Sequence, residues 1–213
     1  MKRTALIVAG SIALALTAAA CGGSSSNPPA ATSKGTTTSA APSSTVGSGV
    51  DPNAAEVNPA GDIPDNQVFV AYTPPSAGFS LKVPEGWART EAGGAVTFTD
   101  KLNSIRMESV AAATAPTPQS AEQTELPAIR ASAKNFRAGK VTTVTRKAGP
   151  AVLLTYGADS APDPVTGKVV HDAVERYEFW RSGTEVILTL SGPKGADNVD
   201  PWRIVTDSFG WQA

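Results

Sequence analysis

Few residues in this chain can do chemistry, and their spacing limits what that chemistry is. There is a single histidine, His171. One histidine excludes any site that needs two from one chain, including the His-Glu-x-x-His zinc hydrolases. With Asp172 and Glu175 it forms a small carboxylate–imidazole set, but no nucleophile motif surrounds it. It reads as an exposed histidine near a strand start. The chain contains no Gly-x-Ser-x-Gly elbow, no Walker-type loop and no Gly-x-Gly-x-x-Gly fingerprint. Asp159, Asp163 and Asp172 border the turn-rich segment 161–167, but their spacing matches no calcium loop, so a solvated loop is expected. No catalytic residue, metal ligand or cofactor is expected.

The densest charged and aromatic stretch runs from Glu175 to Arg181. A strand there puts Tyr177 and Phe179 on one face, and Arg176, Glu178 and Trp180 on the other. One aromatic face must be core. The other is either covered by a helix or lines an open groove. Trp and Arg are frequent anchors of binding surfaces, so Arg176, Glu178 and Trp180 form the candidate binding face. The competing reading buries Trp180 under the terminal helix with Trp202.

Cys21 is the only thiol. It follows Lys2 and Arg3, an apolar run through Leu6, Ile7, Val8, Ile12, Leu14 and Leu16, and the small residues Thr17 to Ala20. The run is too short to span a bilayer comfortably and has the anatomy of an export signal. Ending at a cysteine, it resembles a bacterial lipoprotein signal. That resemblance implies removal of residues 1–20 and a diacylglycerol on the Cys21 thiol. Ala18 stands where such signals usually carry Leu, Val or Ile, a variant familiar in high-GC Gram-positive lipoproteins. The membrane is then a partner through the lipid on Cys21, and the chain works on the outer face of the cytoplasmic membrane.

Between Gly22 and Val50 the only charge is Lys34, and the only branched apolar residues are Val46 and Val50. Such a stretch buries too little apolar surface to offset chain entropy, so residues 21–67 are expected to form a lipidated, disordered tether. All four tryptophans, three tyrosines and six phenylalanines come later, which places one domain at residues 68–213. The whole chain has 18 basic and 19 acidic residues, and losing Lys2 and Arg3 makes it more acidic. No nucleic-acid partner is expected from that balance.

Alternation predicts strands at Phe79–Val83, Val96–Thr99, Ile105–Val110, Val141–Thr145 and Ala151–Tyr156. A hairpin follows, from Ala173 to Arg181 and Glu185 to Leu190, turning at Ser182-Gly183. Leu126, Ile129, Ala133 and Phe136 recur at helical spacing, with Ser120 or Thr124 as the start and Gly139 as the stop. Asp200-Pro201 reads as the opening of a second helix that turns Trp202, Val205 and Phe209 to one side. This order predicts an α+β fold, an antiparallel sheet with helices packed on it.

Phe79-Ser-Leu-Lys-Val-Pro-Glu-Gly-Trp87, followed by Val96, Phe98 and Asp100, resembles the opening strands of the PsbP-like group, in the style of actinobacterial LpqN-type lipoproteins. Tyr177, Phe179, the Gly183 turn and the segment from Asp200 to Trp211 resemble its closing half. The resemblance spans residues 68–213. It implies a curved antiparallel β-sheet flanked by helices, an α/β/α sandwich, and a non-enzymatic protein-binding scaffold. No functional residue carries over with it.

The expected function is therefore a lipid-anchored, extracytoplasmic binding or adaptor lipoprotein with an envelope protein as partner. The alternative is a carrier of an apolar ligand, such as a lipid, in a sheet–helix cavity lined by residues such as Trp180, Leu154, Ile187 and Leu188. A cell-wall enzyme comes third, and would need a cleft holding His171 or paired carboxylates with shifted pKa values.

Overall fold

A computed structural model of the chain describes residues 59–75, 78–163 and 165–212. The signal at 1–20, Cys21 and the tether up to residue 58 lie outside the described residues. The described residues form an α+β fold of two antiparallel sheets with helices.

The larger sheet has seven strands in the order β3-β4-β5-β9-β8-β7-β6. They are β3 (Ala88–Ala92), β4 (Ala95–Asp100), β5 (Asn103–Ala111), β6 (Arg137–Arg146), β7 (Gly149–Asp159), β8 (His171–Arg181) and β9 (Thr184–Pro193). Strands adjacent in sequence pair as hairpins, apart from the central pairing of β5 with β9. The β8–β9 turn follows from its two residues. Ser182 and Gly183 both take positive φ, 50° and 87°, the conformation whose twist matches the flanking strands. A second sheet pairs β1 (Phe69–Tyr72), β2 (Phe79–Pro84) and β10 (Gly210–Trp211) in the order β1-β2-β10.

Helical segments lie between β5 and β6: α1 (Pro118–Ser120), a π-turn (Ala121–Glu125) and α2 (Leu126–Ser132). This continuous run carries the chain from mid-sheet to the edge strand β6. Its boundaries differ from those expected. Thr117 is the N-cap, and Ser120, expected as a start, instead closes the capping box with it. Pro127 lies inside the run, just after the π-turn, where the altered hydrogen-bond spacing absorbs its missing N–H. The helix stops at Ser132, because Ala133 is extended and Asn135 takes φ 50°. Phe136 therefore leaves the helical stripe and packs its ring 5.7 Å from that of Tyr156. Gly139 belongs to β6, beside a bulge between Ala138 and Val141.

Each face of the large sheet has its own core. On one face Ile105, Met107, Tyr177, Phe179, Leu188 and Leu190 pack with Phe79, Leu81 and Val83 of β2 and with Trp202, Val205 and Phe209. Trp202 and Val205 belong to α3 (Val199–Ser208), which starts two residues before Pro201. The other face packs Val152 and Leu154 against Ala121, Leu126 and Ile129 of the helical run.

The folded unit begins before Val68. Ile63 is buried in the first core and donates its N–H to Asn198 Oδ1 at 2.8 Å. Asn198 also donates to Gly61 O and Asn103 Oδ1, at 3.0 and 2.9 Å. Residues 59–67 were assigned to the tether because they lack aromatics. One isoleucine and a buried amide network are enough to fix them.

Candidate functional site

A cleft lies where β7 ends and β8 begins. Asp159 and His171 are register partners there, and the His171 Nδ1 is 3.1 Å from Asp159 Oδ1. The Asn135 amide also donates to Asp159. The hydrogen bonds from His171 and then Asn135 hold the Asp159 carboxyl below its ordinary range. Facing that carboxylate, Nδ1 carries the ring proton, which leaves Nε2 as an acceptor while the ring is neutral. Nε2 is buried and has no partner among the described residues. It sits close over Gly157, where an added Cβ would come within 3.0 Å of it. A side chain at 157 would displace the imidazole.

Glu175 shares the strand face of His171, four positions along β8. It is gripped from behind. Tyr177 Oη donates to Glu175 Oε2 at 2.6 Å, and Arg146 Nη2 donates to Tyr177 Oη at 2.8 Å. Burial, reinforced by the Glu175 hydrogen bond, pushes the Tyr177 phenol up to about 12, so it stays a donor. Arg146 is steadied in turn by Thr206 Oγ1 of α3, which accepts from its Nε at 3.0 Å.

Trp202, one turn before Thr206, brings an indole N–H that is buried without an acceptor among the described residues. His171, Glu175 and Trp202 line a cleft of about 310 Å³, with Gly139 and Thr155 beside Gly157 and with Arg137 and Lys194 also in the lining. The main chain of Asp172 borders it, while the side chain alternates to the opposite face of β8, where desolvation pushes the carboxyl up to about 6 and Oδ1 has no partner among the described residues. The cleft is lined mainly by apolar surface, with Arg137, Thr155, His171, Glu175 and Lys194 among its polar residues.

The expected binding face is different. Arg176 Nε donates to Glu178 Oε1 at 2.9 Å, and the Glu178 side chain has no exposure at all. Burial pushes Glu178 up, while Arg176 opposes that rise. Arg106 pairs through both guanidinium nitrogens with Glu108, and its Nη2 is 2.8 Å from Oε2. Glu185 is pushed up to about 7, by burial first and then by Glu178. Trp180 is half-buried and donates to Ala112 O at 2.9 Å. Of the two options left open for this face, the structure takes the first: the helical run covers it. Trp180 is also on the opposite side of the sheet from Trp202, because it alternates with Phe179, so it is not under the terminal helix.

Leu154, Ile187 and Leu188 are packed core side chains, 0 %, 6 % and 0 % exposed, and none of them lines the His171 cleft. A second cleft, of about 360 Å³, lies beside Phe79 and the β3–β4 turn, and they do not line that one either. Among the described residues, no group of three or more His, Cys, Asp or Glu is placed to hold a metal ion. Asp163 is spent on its own loop, accepting from the Thr166 N–H and hydroxyl.

His171 was expected to be exposed. Its side chain is 29 % exposed and pinned by Asp159. The chain from Arg146 through Tyr177 to Glu175, and the part played by Trp202, were missed. The period-two run of His171, Glu175 and Tyr177 on one strand face was the available signal for half of it.

No family model and no curated protein matches this chain. Several solved structures are similar at low identity. Cyanobacterial PsbP (CyanoP) from Synechocystis sp. PCC 6803 is 15 % identical, with a TM-score of 0.47 over 72 % of this chain and 99 % of that one. LpqN of Mycobacterium tuberculosis, described as involved in cell envelope biogenesis, is 13 % identical, with a TM-score of 0.40 over 70 % and 93 %. A Bacteroides thetaiotaomicron VPI-5482 protein is 14 % identical with a TM-score of 0.45, and the match covers 67 % of this chain but only 48 % of that one, about half its length.

Proposed function

We propose that this chain is a non-enzymatic binding domain of the bacterial cell envelope, held outside the cytoplasmic membrane by lipid on Cys21, and that its ligand engages the His171 cleft. The observation that carries the cleft is its construction. His171 is fixed from behind by Asp159 and Glu175 by the buried Tyr177, while His171 Nε2 and the Trp202 N–H are buried without a hydrogen bond among the described residues. Holding polar groups in place without satisfying them costs stability, and a ligand that satisfies them recovers it. On the Arg176 face the charges are paired, Arg176 with Glu178 and Arg106 with Glu108, although Glu178 Oε2 is also buried without a partner among the described residues.

The anchor is supported by the sequence around Cys21. No helix among the described residues is long and apolar enough to cross a membrane. The carrier alternative draws no support from Leu154, Ile187 and Leu188, which are packed.

The test uses the full chain expressed in a bacterium that lipidates its lipoproteins. Wild type should fractionate with membranes, and Cys21→Ala should be released or remain an uncleaved precursor. Wild type should also co-sediment with purified insoluble cell-envelope material, and Glu175→Gln should lower that binding at least ten-fold with the fold intact. A Cys21→Ala protein processed and membrane-bound like wild type removes the anchor. Co-sedimentation unchanged by Glu175→Gln removes the cleft.

A further inference from the structure

We infer that the outer edge of β6, from Lys140 to Lys147, is a docking surface for an acidic, extended peptide segment that adds to the large sheet as a further strand. It lies outside the His171 cleft, whose lining takes in only Arg137, Ala138 and Gly139 of this strand, and stands independently of it.

Charge is unevenly spread along the chain. The segment from Leu126 to Ala158 holds six of the 18 basic residues, Arg130, Lys134, Arg137, Lys140, Arg146 and Lys147, and none of the 19 acidic ones. The fold gathers them at one side of the domain, on α2, the loop after it, and the edge strand β6 with its turn. Arg146 is used internally, on Tyr177, Thr206 and Asp207. The other five are exposed and make no ion pair among the described residues. The neighbouring carboxylates are already engaged, Asp159 by His171 and Asn135, and Asp207 by Arg146 and Arg203. This side therefore carries uncompensated positive charge on a chain that is slightly acidic overall.

The main chain is the second observation. β6 ends the seven-stranded sheet and pairs with β7 alone. Lys140 turns both its N–H and its C=O to the Thr155 hydroxyl of β7, at 2.8 and 3.3 Å. Alternation then turns the main-chain groups of Val141, Thr143 and Thr145 outward, as the template for another strand. Among the described residues, only Thr145 O of these meets a donor, Arg146 Nη1 at 3.3 Å.

Lysine on an edge strand is commonly a guard against unwanted pairing. The opposite edge, β3, is guarded in that way: it has five residues, with Arg89 and Glu91 inside it. β6 is built differently. Val141 to Thr145 is an unbroken run of β-branched residues, and the charges stand beyond its two ends, at Lys140 and Lys147. A second copy adding here would bring like-charged ends together, which pairing strands disfavour. A strand with carboxylates at both ends and an uncharged middle satisfies the charges and the main chain together.

The test uses the full chain and a dye-labelled probe peptide, Glu-Glu-Thr-Val-Thr-Val-Thr-Glu-Glu, followed by fluorescence anisotropy. The peptide should bind saturably, and less tightly as salt rises. Adjacent prolines at its centre should weaken binding at least ten-fold. Peptide binding should slow hydrogen exchange at the Thr143 and Thr145 amides. Lys140→Glu combined with Lys147→Glu, both at exposed positions, should weaken binding at least ten-fold, and the reversed protein should take up the same peptide with Lys in place of Glu. Failure of the acidic peptide to bind overturns the inference. Binding that the double reversal leaves unchanged places the peptide elsewhere and overturns it. An equal affinity for the proline peptide means charge attraction without strand addition, and overturns it too. So does a folded, reversed protein that refuses the lysine peptide. Phosphatidylglycerol vesicles that bind, and are lost on reversal, while the peptide does not bind assign the edge to a lipid surface instead.

Discussion

Arg176→Met is expected to destabilise the domain by about 3–5 kcal/mol at pH 8, the usual cost of breaking a buried ion pair from one side. Glu178 has a fully buried side chain, and Arg176, only 16 % exposed, is its hydrogen-bonded partner. Methionine keeps much of the stem packing but leaves the carboxylate alone under the helical run. Its Oε2 already lacks a partner among the described residues. The pH dependence has a definite sign. Burial raises the Glu178 pKa above its unfolded value. The folded state therefore holds the proton more tightly, and the penalty for the charged form appears as pH rises and fades as pH falls. Removing Arg176 takes away the main influence opposing that rise. The loss should be largest at pH 8 and smaller at pH 5, and Glu178→Leu in the Arg176→Met background should recover most of it. Urea midpoints at the two pH values measure it. Equal loss at both would mean that the carboxylate is not the group left stranded.

Phe209→Ala should cost a similar amount, about 3–5 kcal/mol, at every pH. Phe209 ends α3 and is 2 % exposed. Its ring centroid is 4.2 Å from that of Phe179 and 5.5 Å from that of Phe79, so it joins the large sheet to the small one. Trp211 meets its edge at 5.2 Å. An alanine leaves a cavity bounded by three elements that cannot all close on it. Because α3 also carries Trp202 and Thr206, envelope binding should weaken along with stability. A denaturation midpoint near wild type would show that α3 is held by something other than this aromatic stack.

The parts of the fold that were legible in the sequence are those set by short-range physics. Ser182-Gly183 and its flanking alternation specify the β8–β9 hairpin, because two positive φ values and a period of two leave little choice. Phe79, Leu81 and Val83 marked β2 for the same reason. The first helix was misjudged at both ends. Leu126 and Ile129 do pack on the sheet, but Ala133 and Phe136 extend the same spacing by coincidence, and the π-turn that admits Pro127 has no signature at this level. Ala88–Ala92 was not read as a strand because all its residues are exposed, so no burial alternation marks it. Residues 59–63 depend on Asn198, far along the chain.

The cleft was less legible than the fold. One side of it is written in β8, at His171 and Glu175, but Glu175 is held through Tyr177 by Arg146, and Trp202 comes from α3. Only tertiary packing brings these together. Arg176, Glu178 and Trp180 were correctly placed on one strand face. Whether that face was open depended on the route of the helical run, which a single sequence does not encode in any local pattern.

The central claim is that ligand engages the His171 side of the sheet and not the Arg176 side. The most direct test compares two indole N–H resonances of the full chain, Trp202 and Trp180, as enzymatically solubilised bacterial envelope fragments are added. The Trp202 N–H has no partner among the described residues, whereas the Trp180 N–H is engaged by Ala112 O. The Trp202 resonance should shift in a saturable manner while that of Trp180 stays fixed. A shift at Trp180 with Trp202 unmoved would contradict the account and return the binding surface to the Arg176 face.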